Sequence, residues 1–187
     1  MKIIDLLCQN RQFHQSLEKS RPRLQRMARS WCGDATLADD LSQEALARAL
    51  QHQGQLRSIE KFDAWIFTIL SNCWREHLRR KRPNVEFHEE EHFSDFHTPE
   101  SSCNERDVVA RVRHEVSRLP DLQRQTLTLV DLEEFSYAEA AQILDVPIGT
   151  IMSRIHRARS KLRSALGDLQ QELPTPREAP AYLRCVK

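Results

Sequence analysis

The chain has only four glycines in 187 residues, and runs of alternating β-branched residues are scarce. A sheet protein with many tight turns is therefore disfavoured, and the abundance of Ala, Leu, Arg, Glu and Gln points to an all-α fold. No apolar run approaches the ~20 residues that a membrane helix needs. The stretch Met1 to Arg11 also lacks the long apolar core of a signal peptide. The expectation is a cytoplasmic protein without membrane insertion. The five cysteines, Cys8, Cys32, Cys73, Cys103 and Cys185, form no CxxC pair and are odd in number. That pattern argues against a disulfide framework or a zinc ribbon and suggests reduced thiols.

Net charge is low as well, at +1, but the average conceals a segregation along the chain. Residues 1–82 carry 15 bases against 9 acids, residues 83–105 carry seven acids and no base, and residues 106–187 carry 13 bases against 11 acids. Two basic bodies flanking an acidic strip imply two small helical domains, 1–82 and 106–169. The strip PNVEFHEEEHFSDFHTPESSCNE has no sustained apolar period and reads as a flexible linker over 83–105. Beyond it, residues 170–187 with Pro174, Pro176 and Pro180 read as a loose tail.

Within the first body, Leu17, Leu24, Met27, Ala28 and Trp31 recur at mostly helical spacing between Phe13 and Cys32, with Pro22 expected to kink that helix or start a new one. Gly33 punctuates, and Asp34 or Thr36 can cap a second helix from Leu37 to Leu50. A third, strongly apolar helix runs through Phe62, Trp65, Ile66, Ile69, Leu70 and Trp74 into Arg79-Arg80-Lys81-Arg82, and Pro83 stops it. The second body opens with a helix through Val108, Val112 and Val116, breaks at Leu119-Pro120 and resumes from Gln123 to Leu132.

The most specific local signal follows. Ser136-Tyr137-Ala138-Glu139 is a capping box: the Ser hydroxyl accepts from the Glu139 amide while the carboxylate reaches back. Asp145-Val146-Pro147 then makes a short turn, with Pro147 placed to open another helix. In that helix Ile151, Ile155, Ala158 and Leu162 form a narrow apolar stripe at ~100° per residue. The opposite face presents Met152, Ser153, His156, Arg157 and Ser160, flanked by Arg154 and Lys161 on one side and by Arg159 and Arg163 on the other. Five bases and no acid lie between Thr150 and Arg163. Such a helix-turn-helix suits the DNA major groove. The competing explanation, a merely solvated basic helix, does not account for the capping box and the turn.

Further motifs lie upstream: Asp40-Leu41-Ser42-Gln43-Glu44-Ala45, then Phe62-Asp63-Ala64-Trp65-Ile66-Phe67-Thr68-Ile69 with Asn72. Together with Leu119-Pro120, Phe135 to Ala141 and Gly149 to Arg159, in this order, they make the chain resemble the extracytoplasmic-function sigma factors of the sigma-70 family over roughly residues 20–168. The resemblance implies a sigma-two and a sigma-four domain bound to the clamp and flap regions of core RNA polymerase, with promoter DNA and an anti-sigma factor as further partners. It implies no cofactor, no metal and no catalytic residue.

It also implies roles for particular residues. Asp39, Asp40, Leu41, Gln43 and Glu44 match the polymerase-binding helix, whose acidic, amide-bearing face suits a basic partner. Arg57, Lys61, Phe62, Asn72, Arg75, Arg79 and Arg80 fall in the element that reads and opens the minus-10 region. Trp65 is expected in the core, while Phe62 is open between core and base stacking. Met152, Ser153, Arg154, His156, Arg157 and Lys161 match the minus-35 recognition helix. The acidic linker either occupies a nucleic-acid channel of the polymerase or is simply solvated. Two departures stand out: Glu76 replaces the family's usual Asp, and Val130 sits where some relatives carry a base.

His88-Glu89-Glu90-Glu91-His92 formally matches HExxH, with His97 and Cys103 downstream as further candidate ligands. An acidic linker lacks the apolar neighbours that would hold two histidines toward a buried metal, so a protease site is not expected. The alternative to a sigma factor is a helix-turn-helix regulator whose residues 1–82 form a sensing or dimerising domain.

Overall fold

The structure is a computed structural model that describes residues 2–56, 58–81 and 105–167. Expectations placed on Arg57, on the acidic segment with His88, His92, His97 and Cys103, and on the tail fall outside the described residues. Among the described residues every regular element is a helix. The N-terminal half contributes α1 (Lys2–Cys32), α2 (Ala35–Gln51) and α3 (Phe62–Lys81). The C-terminal half contributes α4 (Glu105–Ser117), α5 (Asp121–Leu127), a π turn over Thr128–Leu132, α6 (Tyr137–Leu144) and α7 (Ile148–Ala165).

Several boundaries follow from local chemistry. Gly33, at φ 72°, ends α1 in the left-handed region that glycine adopts without strain. The Asp34 carboxylate accepts from the Leu37 amide at 2.9 Å and starts α2. Both halves of the capping box form: Ser136 Oγ accepts from Glu139 N, and Glu139 Oε2 accepts from Ser136 N. Asp145 closes α6 in the left-handed conformation, which a short Asp tolerates. One expectation fails: α1 runs on through Pro22 rather than restarting there. Buried Leu17 and Leu24 hold the helix to the core on both sides of the proline, and tertiary packing outweighs the local penalty.

The two halves do not stand apart. Phe13, Leu24, Trp31, Ile66, Phe67 and Leu70 share one contiguous core with Leu129, Phe135, Ile143, Ile151 and Ile155. A smaller cluster of Leu119, Leu127 and Ala158 ties α5 to α7.

Polar contacts join the halves along this seam. The Trp31 indole N–H donates to Thr128 Oγ1 at 2.9 Å, and the Arg124 guanidinium donates to the Trp31 carbonyl at 2.7 Å. A cation at the C-terminus of α1 meets a carbonyl that the helix itself leaves unpaired. Arg23 bridges to Asp63 and Glu133, each at 2.7 Å, and lies 5.3 Å above the Phe67 ring, which meets Phe135 edge-on at 5.2 Å. Val130, one of the two departures, packs against this shared core.

Candidate nucleic-acid interface

Two cationic surfaces emerge from this framework. The first is a cleft of about 520 Å³ between the end of α2 and the middle of α3. Asn72, Arg75 and Arg79 line it from α3, and Arg48, His52 and Gln55 line it from α2 and the turn that follows. Asn72 is exposed and accepts from Arg75 at 2.7 Å, which orders both side chains at the rim.

Arg48 holds the wall in place. Its guanidinium donates to both oxygens of Glu76, at 2.9 and 2.7 Å, and to Glu44. This fork raises the Arg48 pKa, chiefly through the Glu76 hydrogen bond, and the same bond pulls the Glu76 carboxyl below its ordinary range. The Glu76 departure thereby acquires a role as the clamp joining α3 to α2. Behind it, burial pushes the Cys73 thiol up to about 11, so this cysteine is a protonated apolar filler. His77 stacks on Trp74, and burial followed by the charges of Lys81 and Arg80 lowers its pKa, favouring the neutral ring.

Arg48, His52, Gln55 and Glu76 were not among the residues read from the sequence as minus-10 contacts. A Glu44–Arg48 pair is readable at i,i+4 spacing. Its extension to Glu76 depends on how α2 meets α3.

Of the residues expected here, Arg79 and Arg80 are exposed at the end of α3, and Lys61 is exposed just before it. Phe62 belongs elsewhere. It is 3% exposed and packs against Phe13 and Trp65 with ring centroids 5.6 and 6.1 Å away, so the choice left open for it resolves to core.

The second surface is the outer side of α7. Met152, Ser153, His156 and Lys161 are exposed, and Arg157 is half-buried along its own helix, with Nε and one terminal nitrogen 3.4 and 3.3 Å from the Ser153 carbonyl and hydroxyl. Arg159 reaches back to Asp131 at 2.6 Å and fastens α7 to the π turn. Arg154, expected to contact DNA, is only 7% exposed. Its position three residues after Ile151 and four before Ala158, both fully buried, draws it onto the packed side of the helix.

On α2, Asp40 and Gln43 are exposed, Asp39 accepts from Gln25 of α1, and Glu44 pairs with Arg48. Leu41, placed in the polymerase-binding set, is instead 3% exposed and faces the core beside Ala38 and Ala45. Among the described residues, no three His, Cys, Asp or Glu side chains gather as a metal site, Cys32 and Cys73 are free, and no helix is long and apolar enough to cross a membrane.

Comparison with known proteins covers both halves of the chain. The sequence model of sigma-70 region 2 matches residues 17–83, and that of sigma-70 region 4 matches residues 110–162. The ECF RNA polymerase sigma factor EcfG of Rhodopseudomonas palustris is 37% identical over 145 residues, covering 78% of this chain and 80% of the relative. The RNA polymerase sigma-H factor of Pseudomonas aeruginosa is 34% identical over 150 residues, covering 74% and 78%. Among solved structures, the sigma factor RpoE in complex with the anti-sigma factor NepR from Bartonella quintana superposes with a TM-score of 0.65 at 28% identity, over 83% of this chain and 96% of that one. CnrH in complex with the cytosolic domain of CnrY gives 0.60 at 25% identity, over 83% and 88%.

The region 2 match removes the grounds for reading the N-terminal half as the sensing domain of an ordinary regulator. The chain belongs to the extracytoplasmic-function sigma factors of the sigma-70 family, the RNA polymerase subunits that direct the core enzyme to promoters.

Proposed function

We propose that the two cationic surfaces divide the promoter between them. The cleft beside Asn72, Arg75 and Arg79 takes the minus-10 element, and the outer face of α7 takes the minus-35 element. The observation that carries this reading is the cleft itself: arginines from two helices surround a hollow beside an exposed amide, which suits an unstacked base and its phosphates. The α7 face, with polar and basic side chains and no acid between Thr150 and Arg163, suits intact duplex.

Asp39, Asp40, Gln43 and Glu44 form the polymerase-facing side of α2, and the flap engages the C-terminal half. The acidic segment 83–105 joins the two halves, 1–82 and 106–169, which address separate promoter elements. Nucleotide chemistry stays with the polymerase, so this chain supplies no catalytic group and works in the cytoplasm beside the core enzyme. An anti-sigma factor is its natural antagonist, by similarity to RpoE of Bartonella quintana, whose structure contains one.

Reconstitution with core polymerase tests the reading. The mixture should initiate at a discrete start site that neither component uses alone. In it, Arg157→Ala should weaken binding to upstream duplex, and Asn72→Ala should mainly slow strand opening. Equal loss of duplex binding in both variants would contradict the division.

A further inference from the structure

α7 carries two large apolar side chains that the fold leaves about half exposed. Ile148 is 46% exposed and Met152 is 51% exposed, while the core stripe of Ile151, Ile155 and Ala158 is fully packed. They are spaced i,i+4, so they stand one above the other on one side of the helix, at its N-terminal half. Between them sits Gly149, where an added Cβ would meet nothing within 4 Å, so the space in front of this turn is open. The remaining outward residues, Ser153, His156, Arg157 and Lys161, are polar or basic.

Two half-exposed apolar side chains one turn apart make a small contiguous apolar patch on an otherwise polar and basic outer face. Their occupant must be compatible with five bases and no acid between Thr150 and Arg163, which selects a polyanion over an apolar protein groove. In the major groove only one base edge offers an apolar group, the 5-methyl of thymine. The N-terminal part of a recognition helix is also the part that meets base edges.

Resting on the assignment of α7 to the upstream element, we infer that Met152, together with Ile148, determines part of the promoter specificity by packing against thymine methyl groups. The two residues are separated by about 6 Å along the helix. One base-pair step is ~3.4 Å, so they address thymines one or two steps apart. The unbranched thioether of Met152 adapts to the methyl, and the stiff Ile148 sets the second position. Arg157 and Ser153 remain for polar edges and phosphates.

Deoxyuridine provides the test, since it pairs as thymine does and lacks only the methyl. Holoenzyme reconstituted from the full chain and core polymerase is bound to a promoter whose start site has been mapped, with each upstream thymine replaced in turn. Wild type should lose about 4-fold in affinity at one or two positions, the amount that one buried methyl confers. Met152→Ala should bind unmodified DNA correspondingly more weakly and ignore the replacement at its own position, and Met152→Leu should restore the sensitivity.

No loss at any thymine in wild type, or full sensitivity retained in Met152→Ala, overturns the inference while Arg157→Ala continues to report on upstream binding. If Arg157→Ala leaves upstream binding intact, the assignment of α7 itself fails. Weakened binding of Met152→Ala to core polymerase in the absence of DNA would reassign the pair to a protein contact.

Discussion

Arg124 and Arg157 are the same residue type in two regions of the C-terminal half, yet the fold treats them oppositely. Arg124 is fully buried in the seam, donating to the carbonyls of Ser117, Leu119 and Trp31 and to the Asp121 carboxylate. Burial lowers its pKa, and the neighbouring acid opposes that shift. Arg157 lies along the surface of α7, at 3.3 to 3.4 Å from Ser153. A guanidinium surrounded by short bonds inside the molecule is committed to structure, because any displacement would strand its acceptors. Arg157, half-buried along the outer side of α7, keeps part of its guanidinium toward solvent, where a phosphate or a guanine edge can reach it.

The contrast can be broken by removing each arginine in turn. Arg124→Met should destabilise the full chain by about 3–5 kcal/mol in chemical denaturation, because Asp121 and three carbonyls lose their donor in a dry site. Arg157→Ala should stay within about 0.5 kcal/mol of wild type. Comparable losses in the two variants would end the distinction.

The seam can be probed next at Thr128, whose hydroxyl accepts from the Trp31 indole. Thr128→Val should cost roughly 1–3 kcal/mol by leaving that buried N–H without an acceptor. The Trp31 indole proton should also exchange faster than in wild type, as read by NMR. Glu133→Gln should be milder, about 1 kcal/mol, since Arg23 keeps Asp63 and its place over Phe67. A double-mutant cycle with Arg23→Met should return most of that loss as coupling.

A loss of similar size belongs to the surface end of α6. Ser136→Ala should cost about 1 kcal/mol. The Ser136 hydroxyl and then its backbone N–H hold the Glu139 carboxyl below its ordinary range. A lowered carboxyl stabilises the fold at pH above its unfolded value and loses that contribution as pH falls through the folded one. Thermal melts of wild type should therefore weaken on acidification more than those of Ser136→Ala.

Much of the fold was legible because its signals are local. The capping box, the Asp145-Val146-Pro147 turn, the Asp34 cap and the apolar stripes of α3 and α7 each involve residues within one or two turns of one another. Local spacing also located the outer face of α7, whereas Asn72, Arg75 and Arg79 on α3 were singled out by the family resemblance.

It misplaced Arg154, which lies at the margin of an apolar stripe, because a stripe's width depends on which helices cover it. Leu41 entered the polymerase-binding set by the resemblance and Phe62 was open, and packing puts both in the core. Likewise the cleft wall of Arg48 and Glu76 spans 28 residues of sequence. The Trp31–Thr128 and Arg23–Glu133 contacts span 97 and 110. No periodicity links positions so far apart.

The sequence by itself determined an all-helical chain, its capped helix starts, a helix-turn-helix and two basic bodies of the sigma type. Only the tertiary structure decided that both halves share one core, that Arg124 closes the C-terminus of α1, and that Glu76 and Arg48 build the wall of the cleft. Helices and caps are set by neighbours along the chain. The partner of a buried charge is set by whichever distant segment reaches it in a space from which water is excluded, where leaving it unpaired is too costly.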